Sequence, residues 1–298
     1  VSWLVTGAGG MLGRDVAARL AAEGVPAVAV TRADLDITDP DAVRSCLAAH
    51  RPAVVVNCAA WTDVDGAEDR EAAALAVNGT GARNVAEACK ESGAVLLHMS
   101  TDYVFAGDAT LPYAEDAPTA PRSAYGRTKL AGERAVLELL PETGHVVRTA
   151  WLYGAGGPNF VRTMIRLEAA RDTLDVVDDQ IGQPTWSADL ADLLVRLGQA
   201  AVAGTVPAGV HHGTSRGETT WYGFTREIFR LLGADADRVR PTDSGAFARP
   251  APRPSYSVLG HEGWRDTGIE PLRDWREALV EAFPALMEAE RGTGATGR

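Results

Sequence analysis

The chain has 298 residues, with 29 Lys and Arg against 40 Asp and Glu, a formal net charge of −11, 46% hydrophobic residues and 23% charged ones. This is the make-up of a globular protein that buries a sizeable core in one large domain or two smaller ones. Its acidity, with no cluster of Lys and Arg, argues against a nucleic-acid polymer as partner, and no apolar run nears the ~20 residues of a membrane span.

The first residues enter a strand pattern at once, so no signal peptide is expected. Trp3–Thr6 is a short apolar run, residues 7–13 form a glycine-rich turn, and 14–23 read as a helix closed by Gly24. Ala27–Val30 is a second apolar run. Asp39-Pro40-Asp41 offers N-cap chemistry to a helix that ends near His50-Arg51-Pro52. Residues 53–57 read as a third strand, 68–92 as a long helical stretch broken near Asn78-Gly79, and 95–100 as a fourth strand. A helix over 124–140, stopped by Pro141, leads to a fifth strand at 145–149. Strands alternating with helices of this length predict parallel βαβ units, and apolar strands such as 53–56 suit a sheet covered on both faces.

Beyond Tyr153 the pattern loosens. It predicts a glycine-rich loop at 154–158, a helix at 160–171, a strand at 174–177, a turn at 180–185 and a helix at 188–199. A strand at 209–212, a helix at 222–232, a Pro-rich loop at 241–254 and a terminal helix at 272–288 follow. The predicted fold class is α/β. Residues 1–153 form a doubly wound parallel Rossmann sheet, to which 188–212 return, and 154–288 form mainly a smaller mixed α/β substrate domain. Residues 289–298 are expected to be a disordered tail. The three cysteines, Cys46, Cys58 and Cys89, are odd in number and widely spaced, which fits reduced thiols and a cytoplasmic location.

Gly7-Ala-Gly-Gly10-Met-Leu-Gly13 lies between the first strand and the first helix, the context that makes a glycine pattern a dinucleotide fingerprint. Gly7 permits the tight turn, Gly10 lets the backbone approach a pyrophosphate, and Gly13 lets the helix pack close to the sheet. Thr31-Arg32 at the end of the second strand offers an Arg where an NAD-binding fold would carry an acid. The pair leans toward the 2′-phosphate of NADP. Tyr125-Gly-Arg-Thr-Lys129 places a phenol and an ammonium one helical turn apart. A nearby cation is expected to lower the phenol's pKa toward working pH and fit it for proton transfer at a carbonyl oxygen. Ser100 and Thr101 end the fourth strand, at the edge where open α/β sheets bind ligands. Thr101 is favoured as the hydroxyl that orients a substrate carbonyl, with Ser100 the alternative. His211 and His212 are adjacent in a strand and point to opposite faces, so they make a poor chelating pair.

Together these residues resemble the extended short-chain dehydrogenase/reductases, and within them the dTDP-4-dehydrorhamnose reductase family. The similarity runs through Leu35-Asp36-Ile37-Thr38, Asn57-Cys-Ala-Ala60-Trp-Thr62-Asp-Val-Asp65-Gly-Ala-Glu68, Ser100-Thr101-Asp102-Tyr103-Val104-Phe105, Arg148-Thr-Ala-Trp151-Leu-Tyr153 and Arg253-Pro-Ser-Tyr-Ser257-Val-Leu259. The resemblance implies that Gly10, Met11 and Leu12 touch the pyrophosphate. Asp36 and Ile37 then lie beside the adenine, and Ala60, Trp61 and Thr62 line the cofactor. Thr101, Tyr125 and Lys129 are the implied catalytic set, with Asp102 and Trp151 on the substrate. Arg253 is a candidate for a substrate phosphate.

The implied reaction is reduction of the C4 ketone of a dTDP-linked 4-keto-6-deoxyhexose, in rhamnose or antibiotic deoxysugar biosynthesis. NADPH is the preferred cofactor and NADH a usable one. The implied assembly is a monomer or homodimer. Two alternatives share the scaffold: a sugar-nucleotide epimerase or dehydratase holding NAD tightly, and a non-catalytic NADP-binding regulatory subunit. The chain departs from the family at Tyr256, where many relatives carry Asn, and at Trp61, where they often carry His. Asp15 stands where some relatives place a magnesium-binding Glu. The rest of that set is not found, so no essential metal is expected.

Overall fold

The structure, a computed structural model, describes residues 1–295. Its first half runs β1 (Trp3–Thr6), α1 (Met11–Ala22), β2 (Ala27–Val30), α2 (Pro40–His50), β3 (Val54–Asn57), α3 (Val64–Asp69) and α4 (Glu71–Leu75). A π-helical turn (Ala76–Gly81), α5 (Ala82–Ser92), β4 (Val95–Thr101), α6 (Ala124–Leu139) and β5 (Gly144–Thr149) follow. The second half runs β6 (Leu152–Tyr153), α7 (Phe160–Ala170), β7 (Leu174–Val177), β8 (Ile181–Gly182), β9 (Thr185–Trp186) and α8 (Ser187–Val202). It continues with β10 (Gly209–His212), β11 (Thr219–Thr220), α9 (Trp221–Leu231), β12 (Val239–Thr242) and α10 (Trp275–Ala295).

Six strands form one parallel sheet in the order β10-β5-β4-β3-β1-β2. The chain winds outward from β1 to β2, then returns to build β3, β4 and β5 on the other side. The reversal between β1 and β3 opens a crevice at the C-terminal ends of the strands. The side-chain alternation of a strand divides the core in two. Trp3, Val5, Val54, Val56 and Leu97 pack with Val16 and Leu20 of α1 and with Leu190 and Leu194 of α8. Leu4, Val55, Leu96 and Val146 pack with Val43 of α2, Val85 of α5 and Val136 of α6. A separate cluster joins Val161 of α7, Phe224 of α9 and Trp275 and Leu279 of α10. Beside it lie three two-stranded pairings, β7 with β12, β8 with β11 and β6 with β9.

The structure differs from the sequence expectations in three places. Residues 180–185 are not a bare turn. They hold β8 and β9, which form only because β11 and β6 come back to pair with them. The break near Asn78-Gly79 is a π-helical turn. There Asn78 accepts from the Trp61 N–H and donates to the Trp61 carbonyl and to Thr128 Oγ1, tying the helix to two distant segments. Residues 289–295, expected as tail, continue α10. Arg162 and Arg166 of α7 both pair with Glu290, which anchors that last stretch. Residues 296–298 of the expected tail lie outside the described residues.

Candidate active site

The glycine turn is built by close approach. Gly7 has φ of 65°, and a Cβ placed on it would lie 2.6 Å from the Ala59 nitrogen. A Cβ on Gly13 would lie 2.4 Å from the Gly7 carbonyl oxygen. Gly10 is the N-cap of α1 and offers no side-chain acceptor, and the first turn carries no acidic residue. The first N–H groups of α1, from Met11 to Gly13, therefore face the crevice edge without intrahelical partners. This cradle fits a pyrophosphate. The glycine loop at 154–158 lies over it, with the Met11 side chain 3.3 Å from where a Cβ on Gly154 would sit and Arg14 donating to the Gly156 carbonyl.

Downstream of β2, Thr31 is held by Asp34 through both its N–H and its hydroxyl. The Arg32 side chain is 87% exposed and reaches Asp36 only at 4.0 Å, so its guanidinium is open to a phosphate. Asp36 is kept below the usual carboxylate range by the N–H and hydroxyl of Thr38. Ile37 turns its side chain into the core against Gly81, and its carbonyl accepts from Asn84. Its side chain is therefore not free to meet a ligand. Ala60, Trp61 and Thr62 follow β3. Trp61 is fixed by Asn78, by a bond from its Nε1 to the Asp63 carbonyl at 2.8 Å, and by Arg70 over its ring.

Thr101, Asp102, Tyr125 and Lys129 converge at the end of β4. Thr101 is buried, and its Oγ1 donates to Asp102 Oδ1 at 2.9 Å while accepting from the Tyr103 N–H. Ser100 points to the opposite face of the strand; its buried hydroxyl has no partner. Ser123 caps α6 by accepting from the Gly126 N–H at 3.0 Å, which brings Tyr125 into the first turn. The Tyr125 ring meets Tyr103 edge to face at 5.7 Å.

Tyr125 departs from the expectation of a lowered pKa. Burial pushes the phenol up to about 12, the Asp102 carboxylate adds to the rise, and the Thr101 hydroxyl opposes it. The Lys129 ammonium, buried at the same site, is instead spent on the Met99 carbonyl at 2.6 Å. Burial lowers Lys129 to about 8, against the pull of Glu133 and Cys58. Glu133 is itself held by a buried two-point pair with Arg148, at 2.9 and 2.7 Å.

Asp102 is 3% exposed, and burial raises its pKa to about 6, opposed by the neighbouring hydroxyls of Ser257 and Thr101. Ser257 lies close without a well-aligned hydrogen bond, and Asp102 Oδ2 remains unpartnered. A carboxyl whose pKa rises on folding, here from 3.8 to about 6, stabilises the fold fully below its unfolded pKa. That contribution is lost as pH rises through the folded value. Asp102→Asn removes the ionisation and keeps an oxygen to accept from Thr101. We expect it to raise Tm at pH 8 by roughly 3–8 °C, the equivalent of about 1–3 kcal/mol, and to leave Tm at pH 4 unchanged. Thermal melts at the two pH values check this, and equal shifts at both would refute it.

On the substrate side, Trp151 has φ of 47°, a left-handed backbone that a bulky residue adopts only under constraint. Its ring stacks on Trp221 at 3.5 Å and 9° and lies against Gly182. The two tryptophans thus form one unit, and Trp221 is absent from the sequence reading. Arg253 pairs with Asp65 at 2.8 Å and also donates to the Ala251 carbonyl. It borders a small cavity of about 40 Å³ that Tyr103, Arg122 and Ser123 also line. Tyr256 donates to Glu218 at 3.0 Å. His211 bonds His145, and His212 faces the Gly260 carbonyl, both within the protein interior. Asp15 accepts from Ser187, and no group of three or more His, Cys, Asp or Glu among the described residues could hold a metal ion. No helix among them is long and apolar enough to cross a membrane.

Residues 1–287 match the profile of the RmlD substrate binding domain family. The dTDP-4-dehydrorhamnose reductase of Streptomyces griseus is 65% identical over 284 residues, covering 95% of this chain and 93% of the relative. The dTDP-4-keto-6-deoxy-D-glucose reductase of Streptomyces niveus is 57% identical over 284 residues, covering 95% and 97%. Among solved structures, dTDP-4-dehydrorhamnose reductase from Bacillus anthracis in complex with NADP is similar with a TM-score of 0.89 at 38% identity, over 95% of this chain and 98% of that one.

Proposed function

The chain belongs to the RmlD substrate binding domain family, that of the dTDP-4-dehydrorhamnose reductases, and we propose that Thr101, Tyr125 and Lys129 are the residues that carry its chemistry. It is an NAD(P)H-dependent oxidoreductase that reduces a dTDP-linked 4-keto-6-deoxyhexose. One observation supports the residue assignment. The Tyr125 phenol, the Thr101 hydroxyl, the Asp102 carboxyl and the Lys129 ammonium gather on the same edge of the sheet as the glycine turn. Cys58 links the two, since its backbone abuts Gly7 and its thiol lies beside Lys129.

In this reading the N–H groups of Met11 and Leu12 hold the pyrophosphate, Gly10, whose own N–H closes the turn on the Gly7 carbonyl, lets the backbone approach it, and Arg32 takes the 2′-phosphate. The bound nicotinamide supplies the hydride for C4. Thr101 turns its hydroxyl proton from Asp102 to the ketone oxygen, where negative charge develops. Tyr125, protonated at neutral pH, gives its proton to that oxygen as the C4 hydroxyl forms, and regains it from solvent. Lys129, fixed by the Met99 carbonyl, holds the nicotinamide ribose beside the phenol. Arg253 meets the diphosphate of the substrate, and the paired Trp151 and Trp221 flank the sugar. Residues 1–153, with 188–212, thus serve the cofactor, and 154–288 mainly serve the substrate. Whether the setting is rhamnose or antibiotic deoxysugar synthesis follows from the sugar accepted.

A panel of dTDP-4-keto-6-deoxyhexoses, followed by NADPH oxidation and by NMR of the product at C4, tests this. We expect turnover with at least one member and a lower KM for NADPH than for NADH. Arg32→Ala should raise the NADPH KM by about tenfold and leave the NADH KM in place, the worth of one exposed charge-assisted contact. No oxidation with any sugar would defeat the activity, and equal cofactor KM values would remove Arg32 from its role.

A further inference from the structure

The segment between β3 and α5 carries three carboxylates spaced three residues apart, Asp65 and Glu68 in α3 and Glu71 at the start of α4. Each reaches a distant segment. Glu68 Oε1 accepts from the backbone N–H of Ala124 at 2.8 Å. Glu71 takes Arg127 through Nε and Nη2, each at 2.8 Å. Asp65 takes Arg253 and the Ala251 N–H. Ala124 and Arg127 lie in the first turn of α6, on either side of Tyr125 in sequence. Ala67 of α3 and Ala124 of α6 are both fully buried in one small cluster, against which Trp61 and Tyr125 pack.

Ser123 supplies the local capping oxygen of α6 to the Gly126 N–H, and Glu68 takes a second free N–H of the same turn, that of Ala124. A carboxylate at a helix start is favoured by the helix dipole. Here it comes from a separate helix 56 residues earlier in the chain. The bond therefore fixes where the first turn of α6, which carries Tyr125, stands relative to α3. α3 also begins directly after Ala60, Trp61 and Thr62, the residues assigned to line the cofactor.

We propose that Glu68 is a positioning residue for the reduction, holding the Ala124 N–H and thereby setting the place of the Tyr125 phenol. The role rests on the assignment of Tyr125 as the proton donor and goes beyond it. It works by reach, not by charge. Glu68→Gln keeps an oxygen at the same distance from Ala124, whereas Glu68→Asp keeps the charge and withdraws it by about 1.5 Å.

The test compares the two variants. Glu68→Asp is expected to lower kcat by about tenfold or more, since small misplacements of a reacting group are costly. Glu68→Gln should stay within about twofold of the parent, the size of a neutral-for-charged acceptor exchange. A second readout needs no cofactor: hydrogen exchange of amides 124–128 should quicken in Glu68→Asp and not in Glu68→Gln. The proposal is overturned if Glu68→Asp turns over like the parent, whatever its exchange, or if Glu68→Gln loses as much as Glu68→Asp. Tyr125→Phe, assayed alongside, separates the layers. Full turnover there removes the proton-donor assignment and this role with it, whereas its loss beside an unaffected Glu68→Asp removes the positioning role alone.

Discussion

Tyr125→Phe is expected to lower kcat by about 10²–10⁴, the usual worth of a positioned general acid, and to leave the Kd for NADPH nearly unchanged. The substitution removes one oxygen and keeps the ring that meets Tyr103 edge to face at 5.7 Å, so the first turn of α6 has no reason to move. The pKa of about 12 sharpens the expectation, because the phenol stays protonated across neutral pH and is in the donating form before each turnover. The only group of the set that titrates just above neutrality is Lys129, at about 8. The alkaline fall of kcat in the parent enzyme should therefore report Lys129. Steady-state rates with fluorescence titration of NADPH check the substitution; unaltered turnover would end the assignment of Tyr125 as the acid.

The reversal of the expected Tyr125 shift shows what a local sequence pattern carries and what it leaves out. The spacing from Tyr125 to Lys129 set the two side chains on one face of a helix, and that is a local matter. Whether the ammonium acts on the phenol depends on what else it can reach. Met99, 30 positions earlier, presents a carbonyl at 2.6 Å. The first half was legible because its devices are short. The turn at 7–13 lies within one βα connection, and Thr101 stands at a strand end that its apolar run marks. The second half depends on pairs with no local signature. Arg253 is held by Asp65 188 positions away, Trp151 by Trp221 in a different helix, and Arg162 fixes a stretch of α10 at Glu290 that its polar composition made look like tail. Asp65 and Glu68 stood in a recognisable stretch. Their partners could not be read from it, because a carboxylate on a short helix is indistinguishable in sequence from one facing solvent.

The same reasoning from distance predicts the effect of closing the glycine turn. At Gly13 an added Cβ would lie 2.4 Å from the Gly7 oxygen and 2.8 Å from the Ala8 Cα, and both are backbone atoms that cannot swing aside. Gly13→Ala must therefore push α1 away from β1 or deform the turn, at a cost of about 1–3 kcal/mol. Either change shifts the N–H groups of Met11 and Leu12, which are useful only at a fixed spacing from an anion. NADPH affinity is expected to fall by about 10–100-fold, corresponding to that cost. Gly24 provides the control. It closes α1 with φ of 67°, yet no atom would come within 4 Å of its Cβ. Gly24→Ala bears only the left-handed backbone cost, about 1 kcal/mol, and should lower Tm with NADPH affinity intact. Titration of both variants below their melting temperatures distinguishes a lost cradle from a weakened fold. A Gly13→Ala protein that binds NADPH like the parent would mean that the pyrophosphate does not rest on this turn.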